Sequence, residues 1–148
     1  VKVIFLDVDG VLNYSECWSR PESKGKGTLI WDKDCIAQLN RIVKETGAKI
    51  VLSSTWRLYQ DHYNAVLYQM NIEGEIIDKT TDLRNFDNAQ RGDEIDAWLS
   101  HHPEVEKFVI LDDDADMKHL LPFLIQSNFN KKGLTKKLAD KAIEMLCS

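Results

Sequence analysis

The chain has 148 residues, of which 43% are hydrophobic and 29% charged, and its formal net charge is −5. That length and balance fit one domain over residues 1–148 with a core large enough to need no disulfide staples. The acidic balance argues against a surface that grips nucleic acid by general electrostatics, and no apolar run approaches the ~18–20 residues of a membrane span.

Cys17, Cys35 and Cys147 are odd in number and far apart, the usage of reduced thiols in a cytoplasmic protein rather than of a disulfide framework or zinc site. His62, His101, His102 and His119 show no ligand spacing. The apolar run before the first Asp is too short for a signal peptide.

Val3 to Leu6 reads as a first buried strand, being β-branched and aromatic and too short for a helix. Residues 11–30, with Pro21, Gly25 and Gly27, read as a long loop. Asp32 then caps a helix carried by Ile36, Leu39, Ile42 and Val43 and closed by Gly47. A second strand, Lys49 to Leu52, runs into Ser53-Ser54-Thr55-Trp56-Arg57. A helix is expected over Leu58 to Met70, a short strand over Glu75 to Asp78, and a polar loop from Lys79 to Gln90.

Arg91 to His102 forms a helix with Ile95, Trp98 and Leu99 on one face, stopped by Pro103. Lys107 to Leu111 is a strand ending in Asp112-Asp113-Asp114-Ala115-Asp116, and Phe123 to Ile125 is a last short strand. Thr135 caps a final helix whose buried stripe is Leu138, Ala139, Ala142, Ile143 and Leu146. Strands alternating with helices predict an α/β fold of three layers, Rossmann-like, with a central parallel sheet. Neither residues 11–30 nor residues 58–90 make a segment large enough for a separate folded cap.

In extended backbone, residues two apart point to one side, so Asp7 and Asp9 are expected to face one point beyond the first strand. Gly10 lets the chain turn there. Two such carboxylates repel unless a proton or cation lies between them, and an oxygen-seeking cation such as Mg²⁺ suits them. Ligands of open parallel sheets bind beyond the carboxyl ends of the strands. Three strand ends here carry residues suited to phosphate chemistry: Asp7 and Asp9, Ser53 to Thr55, and Asp112 with Asp113. Arg91 opens the helix before the fourth strand.

That order resembles the haloacid dehalogenase (HAD) superfamily of phosphohydrolases, with its Asp-x-Asp, Ser/Thr, Lys/Arg and final acidic pair. Val51 to Arg57, and Glu94-Ile95 through Trp98-Leu99, further resemble the HAD domains of Swiss Army Knife RNA repair proteins. The resemblance implies an aspartyl-phosphate mechanism with Asp7 as nucleophile and Asp9 as general acid and then base. It implies Ser54 on a phosphoryl oxygen, with Ser53 as the alternative register, and Arg91 neutralising charge. Mg²⁺ would be held by Asp7, the backbone carbonyl of Asp9, Asp113 and, in support, Asp112, with Asp116 able to replace either of the last two. Thr55, Trp56 and Arg57 stand next to these as substrate contacts. The substrate implied is a phosphorylated small molecule or a nucleic-acid end at an open, cap-poor site. A phosphotransferase, or a metal- or phosphate-binding module without turnover, are the competing expectations.

Overall fold

A computed structural model of the protein describes all residues, Val1–Ser148. Five strands, β1 (Lys2–Leu6), β2 (Lys49–Leu52), β3 (Ile76–Lys79), β4 (Lys107–Asp112) and β5 (Leu124–Gln126), pair in parallel in the order β3-β2-β1-β4-β5. The central strands are apolar almost throughout because both of their faces are covered. Ile4, Leu6, Ile50, Leu52, Val109 and Leu111 pack on one face with helices α1 (Lys33–Thr46) and α4 (Lys136–Cys147), through Ile36, Leu39, Ile42, Ala139, Ala142 and Leu146. Val3, Phe5, Val51 and Ile110 alternate to the other face and meet Ile95 and Trp98 of α3 (Arg91–Ser100), with Met117 and Leu120. The Phe5 ring meets Trp98 edge-on, with centroids 5.5 Å apart.

Local chemistry sets the helix ends. The Asp32 side chain accepts the Cys35 N–H at 3.0 Å to start α1, and Gly47 ends it in the left-handed region at φ 72°. Thr135 accepts the Leu138 N–H at 3.3 Å to start α4.

Three expectations need adjusting. The helix over Leu58 to Met70 is instead a 3-10 turn (Thr55–Leu58), a short helix α2 (Gln60–Asn64) and a π-helical turn (Ala65–Gln69), burying Trp56, Ala65, Val66 and Met70. β3 and β5 each lie one residue later than expected. Both are edge strands, where one covered side leaves the hydrophobic pattern weak; β3 has only Ile76 partly buried, its other residues being exposed. Residues 11–30 carry two 3-10 turns, Ser15–Ser19 and Pro21–Ser23, and no further sheet.

Strand order reverses around β1, which is flanked by β2 on one side and β4 on the other. The crevice beyond the carboxyl ends of β1 and β4 is therefore the place where this architecture holds a ligand.

Candidate active site

Leu6 lies opposite Leu111, and the Asp7 N–H continues the ladder by donating to the Leu111 carbonyl at 2.9 Å. Asp7 thus emerges beside Asp112, at the ends of adjacent parallel strands. Carboxylate oxygens of Asp7, Asp112 and Asp113 all lie within 4.8 Å of one another. Asp7 and Asp112 are buried, and Asp113 is half-buried.

Arg91, the first residue of α3, supplies a cation to this trio. Its Nη1 donates to Oδ2 of Asp112 at 2.9 Å and lies 3.3 Å from Oδ1 of Asp7, while its Nε is 3.8 Å from Oε1 of Glu94. Gly92 makes that delivery possible. Its N–H donates to the Asp116 carbonyl at 3.0 Å, and any Cβ there would overlap the backbone of Met117. The start of α3 is therefore pressed directly against the loop that follows β4.

Burial raises the Asp7 carboxyl above the usual carboxylate range in spite of the nearby Arg91 guanidinium. Burial, and next the charge of Asp7, push Asp112 up to about 9 and Asp113 up to about 6. Burial alone would draw Arg91 down, but Asp7, Asp112 and Asp116 together raise it and keep it charged. One guanidinium among three crowded carboxyls leaves an excess of acid, and the donors are all oxygens. That set fits a hard divalent cation such as Mg²⁺.

Gly10 holds the other side of the trio open. It adopts φ +84°, and a Cβ would overlap the Asp113 carboxylate. Its N–H donates to Oδ1 of Asn13 at 2.9 Å, and its carbonyl accepts from the Ser127 hydroxyl.

Asp9 does not share the trio's space, contrary to the expectation that it faces the same point as Asp7. The chain leaves extended geometry at Val8, whose carbonyl accepts the N–H groups of Val11 at 3.0 Å and Leu12 at 2.8 Å. The two-residue alternation therefore ends at Asp7. The Asp9 carboxylate accepts from Nδ2 of Asn13 at 2.9 Å and from the indole N–H of Trp56 at 3.1 Å.

The β2 end delivers the hydroxyls. Ser53 lies next to Asp7 across the sheet, its N–H donating to the Leu6 carbonyl at 3.0 Å. Its Oγ is buried without a partner in the protein. Ser54, by contrast, uses its Oγ to accept the Trp56 N–H at 3.1 Å, capping the 3-10 turn. Thr55 lines a crevice of about 130 Å³ together with Arg57, Arg84, Gln90, Arg91 and Asp116. Asp116 lies outside the trio, with Oδ1 buried and unpartnered.

Arg57 differs most from its expected place among substrate contacts. It is 4% exposed, and its guanidinium donates to the carbonyls of Thr80 at 2.8 Å, Ser53 at 3.1 Å and Ser54 at 2.8 Å, and to Oε2 of Glu94 at 3.0 Å. It is an internal brace that ties the ends of β2 and β3 to α3. Glu94 also accepts the Leu83 N–H at 2.9 Å.

Sequence reasoning passed over Asn13, which is fully buried and bridges Gly10, Asp9 and the Ile30 carbonyl at 2.9 Å. The available signal was an amide four residues after Asp9 in an otherwise apolar stretch. Ser127 gave no comparable signal, and Glu94 was noted only as part of the family resemblance.

No curated protein and no solved structure matches the chain. The family described as the HAD domain in Swiss Army Knife RNA repair proteins matches residues 3–139, a span that takes in both strand-end acidic motifs, the β2 turn and Arg91. The chain belongs to that family.

Proposed function

We propose that this domain is a Mg²⁺-dependent phosphomonoester hydrolase working through an aspartyl-phosphate. The observation that carries the reading is the trio of buried Asp7 and Asp112 and half-buried Asp113, with Arg91 bridging Asp7 and Asp112. Solvation alone does not favour such a cluster; a bound cation and a charged substrate give it a use.

Asp7, Asp112, Asp113 and the Asp9 carbonyl would hold Mg²⁺, which supplies positive charge against the phosphoryl oxygens. A carboxylate oxygen of Asp7 attacks phosphorus, and the ester P–O bond breaks as the leaving oxygen takes a proton from Asp9. Water then attacks the aspartyl-phosphate, gives its proton to Asp9 and releases phosphate. Arg91 offsets the negative charge of the transferring group, where most of the rate gain arises.

The unpartnered Oγ of Ser53, in register with Asp7, makes Ser53 the stronger candidate to donate to a phosphoryl oxygen. Ser54 Oγ already serves the Trp56 N–H. The family description favours a polynucleotide end as substrate, and the absence of a folded cap between β1 and β3 suits so bulky a group.

The deciding experiment is hydrolysis of a generic aryl phosphate with Mg²⁺ or with EDTA, with Asp7→Asn as control. Turnover that needs both the metal and Asp7 is expected. Turnover in EDTA, or by Asp7→Asn at a comparable rate, would sink the mechanism. Mg²⁺-dependent binding of beryllium fluoride without hydrolysis of any phosphomonoester, including 3′- and 5′-phosphorylated oligonucleotides, would make the domain a binding module.

A further inference from the structure

The general-acid candidate is turned toward a second space, distinct from the crevice beside Arg91. A cavity of about 340 Å³ is lined by Asp9, Thr28, Thr55, Trp56, Tyr59 and His62. It lies between the long loop after β1, which contributes Thr28, and the 3-10 turn and α2 after β2. The two sides are joined where Thr28 Oγ1 meets Nε2 of His62 at 2.8 Å.

Three aromatic rings build one side of this space. The Trp56 and His62 rings meet edge-on with centroids 4.7 Å apart, and Tyr59 leans on His62 at 5.6 Å. Trp56 is buried and fixed by its bond to Asp9, so it serves as wall. Tyr59 is 55% exposed, which leaves a ring face free for a ligand. No Lys or Arg lines the cavity, so it is poorly suited to a second phosphate.

We infer that this cavity is the leaving-group subsite and takes the nucleobase of a nucleotide whose phosphate lies over Asp7. The inference rests on the phosphatase reading for the position of the phosphate. A group that leaves with a proton from Asp9 must extend to the side on which Asp9 stands, and that side opens into this cavity. Its chemistry then follows from the lining. Tyr59 offers a stacking surface, which is tolerant of base identity. The Thr55 hydroxyl, beside the Thr28–His62 pair, offers a polar contact to a ring that carries donors and acceptors at its edge. A plain phenyl ring has no polar atom to offer that hydroxyl and should bind less tightly than a nucleobase.

The test is equilibrium binding in Mg²⁺ of phosphonate analogues, which do not turn over: a nucleoside phosphonate, an alkyl phosphonate and benzylphosphonate. Wild-type protein should bind the nucleoside compound roughly 5- to 100-fold more tightly than the alkyl one, the range that a single base stacked on an aromatic ring supplies. Tyr59→Ala should bring that ratio near unity without changing alkyl affinity, and Tyr59→Phe should preserve it. Equal binding of the two, no binding of either, equal weakening of both by Tyr59→Ala, or benzylphosphonate matching the nucleoside compound would each overturn the inference. Nucleoside selectivity without aryl phosphate hydrolysis would instead defeat the catalytic reading and leave the subsite standing. Hydrolysis without selectivity would do the reverse.

Discussion

The indole N–H of Trp56 donates to Oδ2 of Asp9 at 3.1 Å, so the residue that follows the β2 hydroxyl cluster orients the carboxylate on the β1 loop. Trp56→Phe keeps most of the packing and deletes this one donor. A hydrogen bond to a carboxylate contributes about 1.5–3 kcal/mol, so kcat for a small alkyl phosphate should fall about 10- to 100-fold. KM should change little, because in the proposed mechanism the phosphoryl group is held by the trio and Arg91 rather than by Trp56. Steady-state kinetics read the split; a rise in KM at constant kcat would make Trp56 a binding group only.

Gly10→Ala meets two obstacles together, the positive φ and the Asp113 carboxylate. Holding a non-glycine residue in such a conformation costs about 1–3 kcal/mol. The displaced Asp113 should also weaken Mg²⁺ binding, measurable by calorimetry beside a thermal melt. A variant that loses stability but keeps its Mg²⁺ affinity would show that Asp113 can move without consequence.

Acidity and metal are linked with a definite sign. Unfolded Asp titrates near ~3.9, while in the folded protein Asp113 is pushed up to about 6 and Asp112 up to about 9. Across that interval the folded state holds more protons than the unfolded one, so stability falls as pH rises through it. In EDTA, Tm should therefore drop from about pH 5 to about pH 8. Mg²⁺ bound at the trio would compete with those protons, so its stabilising shift should be larger at the higher pH. An equal Mg²⁺ shift at both values would contradict the trio as the metal site.

Two arginines near the site should respond in opposite ways to removal. Arg57→Ala strands Glu94 and three carbonyls in the interior and should destabilise the fold by about 3–5 kcal/mol. Arg91→Ala removes a half-shielded cation from the trio, and activity should suffer more than folding. Urea melts beside initial rates separate the two; a fully stable Arg57→Ala would remove its role as a brace.

That contrast marks where the sequence was legible. Asp7, Asp112 and Asp113 stood at the ends of strongly patterned central strands, so their convergence followed from parallel pairing, while Arg91, at a helix start, was placed there by the order of motifs shared with the HAD superfamily. Arg57 could not be placed this way. Its partners Thr80 and Glu94 come from the β3 exit and from α3, and an arginine after a serine turn looks the same in sequence whether it faces phosphate or the interior. Asp9 was misdirected for a local reason. The alternation rule holds only while the backbone is extended, and the turn at Val8 ends it one residue after Asp7. The α2 region was blurred because its buried residues lie on either side of α2, Trp56 on the 3-10 turn and Ala65, Val66 and Met70 on or next to the π-helical turn, which smears a single helical period.

The reversal of strand order at β1 brings together members of the acidic trio that lie more than a hundred residues apart in the sequence. A ribosome that has released β1, β2 and β3 has made the proposed nucleophile but neither Asp112 nor Asp113, so, if the trio is the metal site, the nascent domain should not respond to Mg²⁺ until β4 docks. The same arrangement offers a natural place to divide the molecule. Two polypeptides separated within residues 80–90 would each carry part of the proposed metal-binding set, and Mg²⁺ should then report their reunion.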